Sequence, residues 1–262
     1  MAYKKGSALR HIMVWGLSVV SVGLLLILWL LASGRNPELV PSPWTVVKRM
    51  LLLFQKPISG HNLLGHILVS LRRVLIALIF STTIGILLGI AIGWNNIAKK
   101  TLGTLFELVR PIPPIAWLPI IVMWYGVGEM PKIVMVFIGT LMPIVINTYT
   151  GIKIVDQSLL DVADTFQANE RQMLTEIAIP SALPSIMAGI RNAIGVGWMV
   201  VLAAEMIGAK EGVGFLITRG MEFFDVPLIM VGMVAIGVVG ALLSAGIEWI
   251  ESFLYNLNRS RD

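Results

Sequence analysis

Apolar residues run along this chain in long uncharged blocks separated by polar segments. Ile12 to Ala32 carries no charge over 21 residues, Val74 to Ala98 over 25, and Pro111 to Gly128 over 18. Ile133 to Ile152 is clean over 20 residues and Val226 to Ile247 over 22. Asn192 to Ala204 adds 13 before Glu205 interrupts it. A membrane-crossing helix needs about 20 apolar residues at about 1.5 Å each. The pattern therefore predicts an all-α integral membrane protein with six transmembrane helices. The third block contains Pro111, Pro113, Pro114 and Pro119, so its helix is expected over Thr101 to Tyr125, bent or started late. Proline removes a backbone hydrogen bond that lipid cannot replace, so this stretch is expected between helices. The fifth helix is expected over Ala188 to Gly208, where glycines and alanines permit close helix approach.

Two polar segments carry periodicity of their own. Trp44 to Phe54 predicts a short amphipathic helix with an apolar stripe of Trp44, Val47, Leu51 and Phe54, started by Ser42 and Pro43. Lys153 to Arg191 holds eight of the 35 charged residues. Within it, Asp156 to Glu176 reads as one helix, with Pro180 and Pro184 expected to break or redirect the chain. No other segment offers enough polar helical surface to dock a sizeable soluble partner.

Composition sharpens this picture. Only 13% of the 262 residues are charged, against about 25% in soluble domains, and mean hydropathy is +0.85. These values exclude an ordinary cytosolic globule, a disordered chain and a free nucleic-acid-binding module. The net charge of +5 sits mostly between apolar blocks, where it reads as contact with membrane lipids and not with nucleic acid. Cysteine is absent, which excludes disulfides and thiolate metal sites. His11, His61 and His66 are too scattered to predict a metal site. The chain lacks a Gly-x-x-x-x-Gly-Lys-Ser/Thr phosphate loop and any Ser-His-acid set. It therefore reads as neither an enzyme nor a nucleotide-binding protein, with no cofactor of its own.

Polar residues inside apolar blocks are the candidate pathway or gate residues. Glu205 lies in or near a span, where a carboxylate is costly, so it faces a cavity or an ion-pair partner. Asn147 lies inside an apolar helix and suits either a cross-bundle hydrogen bond or solute contact. Trp117, Tyr125 and Trp198 suit either a pathway lining or an aromatic membrane belt. Arg110 matches an anion but also suits a pair with Glu107 or an acidic lipid headgroup. With six spans both termini share one side, and Lys and Arg divide ten to nine between the sides, a weak vote for cytoplasmic termini.

The segment Asp161-Val-Ala163, Gln167-Ala168 and Ile179-Pro180, followed by Pro184 and Gly189, resembles the cytoplasmic signature of ABC-importer permeases. Glu107 to Pro119, Trp124 to Glu129, Gly195 to Glu205 and Gly212 to Phe215 are similar to the nitrate, taurine, aliphatic-sulfonate and bicarbonate permease branch. The resemblance covers about Ser70 to Glu251. It implies a type I ABC-importer permease, with a second permease copy, two cytoplasmic ATPase subunits and an extracytoplasmic solute-binding protein. ATP and Mg would sit on the ATPase partners. It implies an inner-membrane, multi-pass subunit with both termini cytoplasmic. The solute would be a small anion such as taurine, an alkanesulfonate, nitrate or bicarbonate. A pyrimidine-like vitamin precursor, or a carrier or scaffold acting without an ATPase, are the alternative readings.

The same resemblance makes Asp161 to Arg171 the ATPase coupling element. Ala163, Phe166 and Ala168 would supply contact, and Asp164, Glu170 and Arg171 the charged register. Asp161 stands where the signature has glutamate and Gln167 where it has glycine, so a more continuous helix or an altered turn is expected there. The implied organisation is a first helix and amphipathic segment over 1–65, a core over 66–253 containing the coupling loop 153–191, and a cytoplasmic tail over 254–262.

Overall fold

The computed structural model describes residues 3–259, with side chains described for 16, 17 and 19–249. The proposed tail therefore lies partly outside the described residues. The described chain is all-helical apart from a single Ile58–His61 bridge. Ten helical elements follow in order. They are α1 (Tyr3–Arg35), α2 (Pro43–Gln55), α3 (Leu63–Trp94), α4 (Asn96–Val109), α5 (Pro114–Tyr125), α6 (Glu129–Lys153), α7 (Gln157–Thr165), α8 (Glu170–Glu205), α9 (Val213–Glu222) and α10 (Val226–Arg259).

Four of these, α3, α6, α8 and the Val226–Trp249 part of α10, are each long and apolar enough to cross a membrane. The α4–α5 pair makes a fifth if counted as one broken span, since it bends by 90°. Val19–Arg35 of α1 is a shorter apolar helix. The chain is thus a multi-pass membrane protein. Leu24, Leu28, Leu75, Ile79 and Leu242 stand exposed, as a lipid-facing surface requires.

The core is a three-helix stack of α3, α6 and α8. Gly85, Gly89 and Gly93 recur every four residues on one face of α3. Ile144, Thr148 and Ile152 recur at the same interval on α6 and fill the space a Cβ would need. Small residues at this spacing let backbones approach and gain dispersion contact, which drives helix association in lipid. Ala193, Trp198 and Val201 of α8 join Val74, Ala77, Val136 and Ile144 in one buried cluster.

Several sequence expectations need correction. The helix of the second block begins at Leu63, well before Val74, and carries Arg72 and Arg73 inside it. The third block is two helices, separated by a turn at Arg110–Pro113. Pro180 and Pro184 lie inside α8 and do not break it. The wide π-turn over Met173–Ala178 precedes them, with Ile179 N–H donating to Leu174 C=O five residues back. This register makes room where the Pro180 ring would otherwise clash. Asp156 to Glu176 is not one helix, because the chain turns between Thr165 and Glu170. The amphipathic helix α2 forms as expected, capped by Ser42; its stripe of Trp44, Val47, Leu51 and Phe54 is exposed, as on an interfacial helix, while Val46 and Leu53 are buried. Those two pack against Val213, Leu216 and Leu228, and Arg49 Nε bonds Asp225 Oδ2 at 2.7 Å.

Candidate functional site

The two ends of α6 and α8 carry different chemistry. At the end where α6 begins and α8 finishes lies a buried charge cluster. At the other end α6 and α8 are joined by the polar segment around α7. The 25 residues of α6 set these ends about 37 Å apart along its axis.

Around α7, each turn of backbone has a local cause. Asp156 caps the helix: the Ser158 N–H and hydroxyl both donate to its Oδ1, at 2.9 and 2.7 Å. These bonds hold the Asp156 carboxyl below its usual pKa. The helix ends at Phe166 and Gln167 takes a left-handed φ of +57°. Gln167 N–H donates to Asp164 C=O at 2.8 Å, and Ala168 N–H to Ala163 C=O at 3.0 Å. This paired pattern is a Schellman C-cap, which needs a left-handed residue at the position Gln167 occupies. Asn169 and Gln172 then form a reciprocal capping box that starts α8. The glutamine therefore keeps the turn that a glycine would make, and the expected continuous helix does not form.

The turn presents Phe166, which is 82% exposed, beside exposed Leu159 and Val162. Asp161, Asp164, Glu170 and Arg171 are exposed around it, and Ala168 is half-buried. Asp161 Oδ1 accepts from Gln157 Nε2 at 3.0 Å. Ala163 is buried, so it packs the turn against the bundle and leaves contact surface to Leu159, Val162 and Phe166.

The opposite cluster is centred on Arg73, whose guanidinium is fully buried. Its Nη1 lies 2.6 Å from Glu205 Oε1 and donates to Glu211 C=O at 3.0 Å. Its Nε and Nη2 hold both oxygens of Glu129, at 2.8 and 2.5 Å. Glu205 Oε2 accepts from Ser70 Oγ at 2.9 Å and from Gly214 N–H at 3.0 Å. Ser70 Oγ in turn accepts from Val213 N–H at 3.0 Å. His66 Nδ1 accepts from Gly212 N–H and its Nε2 bonds Ile58 C=O, the pattern of the neutral Nε2–H tautomer. Lys132 and Arg72 complete the balance on Glu129, at 3.5 and 3.3 Å. Three carboxylates, Glu129, Glu205 and Glu211, thus meet three cations, Arg72, Arg73 and Lys132.

Gly212 sits at φ +112°, and a Cβ there would overlap the Glu205 carboxylate. A Cβ on Gly214 would come within 2.6 Å of Leu202 C=O. The Gly212-Val-Gly-Phe215 stretch is therefore shaped by its fit over a buried anion. Of the two sequence readings of Glu205, its surroundings are those of the ion pair. Arg73, Ser70 and His66 were missed as site residues. Their one signal is polar side chains at i, i+4 and i+7, a single helical face opening an apolar helix.

The remaining pathway candidates are not brought together. Trp198 is buried, with its indole N–H donating to Ile236 C=O at 3.0 Å. Asn147 Nδ2 donates to Pro143 C=O at 2.8 Å, and its Cβ packs on Gly189. The indole nitrogen of Trp117 is buried without a partner among the described residues, and Tyr125 is exposed at the end of α5. Arg110 pairs with Glu107 at 3.5 Å. No group of three His, Asp or Glu side chains that could hold a metal occurs among the described residues.

Comparison with known proteins agrees with this architecture. The family of binding-protein-dependent transport system inner membrane components matches residues 81–256. A putative ABC transporter permease protein of Methanocaldococcus jannaschii is 33% identical over 255 residues, covering 96% of each chain. The taurine transport system permease protein of Escherichia coli is 32% identical over 247 residues, covering 90% of each. The nitrate import permease protein of a Synechocystis strain is 33% identical, covering 90% of this chain and 87% of that one. Among solved structures, an inward-facing methionine ABC transporter superimposes with a TM-score of 0.62 at 17% identity, over 69% of this chain and 90% of that one. The last likeness shows the shared fold alone. The chain belongs to the inner-membrane permease subunits of binding-protein-dependent ABC importers, a non-catalytic family whose ATP is hydrolysed by separate partner subunits.

Proposed function

We propose that the chain is one half of the membrane path of an ATP-driven importer for a small anion. It crosses the membrane six times, α1 and the bent α4–α5 pair each counting as one crossing, with both termini in the cytoplasm. Residues 1–65 form a transmembrane helix and an extracytoplasmic amphipathic segment, and 66–253 the core. A second copy completes the path, two ATPase subunits bearing ATP and Mg dock on the 157–172 segment, and an extracytoplasmic binding protein delivers solute. The taurine, sulfonate and nitrate relatives support an anionic solute.

The observation that carries this reading is the exposed apolar turn of Leu159, Val162 and Phe166, rimmed by Asp161, Asp164, Glu170 and Arg171. An apolar centre with a charged rim is the anatomy of a protein interface. Direct coupling to both α6 and α8 lets motion at this turn tilt the core helices. Asp161, Ala163, Asp164, Phe166, Gln167, Ala168, Glu170 and Arg171 act together as the lever. At the far end the Arg73–Glu205 cluster keeps α3, α6, α8 and α9 moving as one unit.

The test is uptake by the complete complex in proteoliposomes, with taurine and nitrate as probe solutes. Val162→Asp with Phe166→Asp is expected to abolish ATP-driven uptake while leaving the permease folded and inserted. Uptake that persists without ATP or without the ATPase would instead favour an autonomous carrier.

A further inference from the structure

The helix α9 is buried or half-buried as far as Gly220, and then Met221, Glu222, Phe223 and Phe224 all stand exposed. Phe224 is 90% exposed, and its φ of +55° is left-handed. Asp225 N–H donates to Gly220 C=O at 2.8 Å and Phe224 N–H to Met221 C=O at 3.4 Å, the paired bonds of a Schellman cap. Phe224 fills the position in that cap where glycine is usual, since glycine takes a positive φ without cost. The turn by itself is served better by glycine, and the ring touches no core, so neither accounts for the phenylalanine. The knob is also held firmly. The Asp225 carboxylate accepts from Leu228 N–H at 3.0 Å and from Arg49 Nε at 2.7 Å, and the Arg219 guanidinium lies 4.0 Å from the centre of the Phe223 ring.

The knob stands clear of the hydrocarbon. The start of α9 lies at the buried charge cluster, where Val213 and Gly214 N–H reach Ser70 and Glu205. The uncharged spans leave that level in one direction, α3 from Val74 and α6 from Ile133. Arg72 is exposed there, paired with Glu129 at 3.3 Å, so the hydrocarbon ends at about this level. Residues along α9 meet the first turns of α10 in reverse order, Ile217 against Gly232 and Gly220 against Ile229. The ten residues of α9 therefore carry Phe223 and Phe224 about 15 Å away from the spans.

The charges around the rings cancel in two pairs, Arg219–Glu222 at 3.2 Å and Arg49–Asp225 at 2.7 Å, so neither arginine is left for a lipid phosphate. Arg49 reaches Asp225 from the side of α2 opposite the exposed stripe of Trp44, Val47, Leu51 and Phe54. The knob therefore does not continue that stripe. An apolar centre inside a charge-neutral rim matches an apolar socket on a protein, and aromatic anchors are where such interfaces concentrate affinity. We infer that Phe223 and Phe224 form a docking knob for the extracytoplasmic solute-binding protein, seated in an apolar depression of that partner. The partner's identity rests on the import reading; the projection and strain of the knob do not.

The experiment measures binding of the solute-binding protein encoded beside the permease, loaded with taurine or with nitrate, to the assembled permease–ATPase complex in phosphatidylcholine nanodiscs. Phe224→Gly keeps the left-handed turn and removes the ring. It is expected to melt at the same temperature or higher, yet to weaken docking about tenfold or more, the scale of a lost aromatic anchor. Phe224→Tyr should restore most of the affinity. ATPase activity without the binding protein should stay unchanged, while its stimulation should need correspondingly more binding protein. Because the chain has no cysteine, Phe224→Cys carrying a bimane reports the surroundings of the knob, and its emission should shift when binding protein is added. Unchanged affinity in Phe224→Gly overturns the inference. So does quenching of the bimane by brominated lipid, which would seat the knob in the bilayer. Loss of permease pairing in Phe224→Gly, read by native mass spectrometry, would seat it on the second copy and overturns the inference as well. If the unsubstituted complex neither binds the loaded protein nor is stimulated by it, the import reading falls and the inference with it. If it binds and Phe224→Gly binds equally well, the inference falls alone.

Discussion

Arg73 Nη1 lies 2.6 Å from Glu205 Oε1, with both side chains fully buried. The same guanidinium holds Glu129 through two further nitrogens. Arg73 comes from the first third of α3, Glu129 from the start of α6 and Glu205 from the last residue of α8. One side chain thus cross-links the three helices of the core stack. Removing a single partner of such a cluster leaves an uncompensated buried charge, a loss of about 3–5 kcal/mol. Arg73→Ala should therefore destabilise more than Glu205→Gln, which keeps an acceptor for Ser70 and Gly214. The two substitutions should be non-additive by about 1 kcal/mol or more. Thermal melting of the purified permease in a double-mutant cycle measures both effects.

Gly212 makes a separate prediction. Its φ of +112° and its contact with the Glu205 carboxylate leave no place for a Cβ. Gly212→Ala should destabilise by about 1–3 kcal/mol. Removing the carboxylate in Glu205→Ala frees space, so the alanine should cost less in that background, keeping only the penalty of its left-handed φ. Equal losses in the two backgrounds, measured by melting, would show that backbone strain alone decides.

At the other end of the core, Gln167 holds a left-handed φ of +57°. Glycine adopts this conformation without the roughly 1–2 kcal/mol penalty of an L side chain. Gln167→Gly should keep ATP-driven uptake at or near its original rate. Gln167→Val, which is β-branched, should lose the turn and uncouple ATP hydrolysis from uptake. Uptake rates and ATPase rates measured together separate these outcomes.

These residues also show what the sequence displays and what it hides. Uncharged blocks located the apolar helices because lipid imposes length and composition residue by residue. The true start of α3 stayed hidden because Arg72 and Arg73 look like the edge of a span. Their charges are balanced by residues 129, 205 and 211, a relation that no local window contains. Glu205 was legible as needing a partner but not which one. Pro180 looked like a helix end because the π-turn that accommodates it has no composition of its own. In α2 the stripe Trp44, Val47, Leu51 and Phe54 was real, but it faces away from the bundle. Hydrophobic spacing identifies an apolar face without saying whether protein or lipid covers it. The Gln167 turn was obscured for a different reason: its caps at Asp156 and Asn169 are local, yet a left-handed glutamine is uncommon.

In the proposed mechanism the turn at Phe166 is cytoplasmic and receives the ATPase. The chain has no cysteine, so Phe166→Cys creates a single reporter thiol. The direct measurement is its labelling by a membrane-impermeant maleimide in right-side-out and inside-out vesicles, with and without the ATPase subunit. Labelling is expected only in inside-out vesicles, with protection there when the ATPase is assembled. Labelling from the outer face, or labelling that the assembled ATPase does not change, would contradict it.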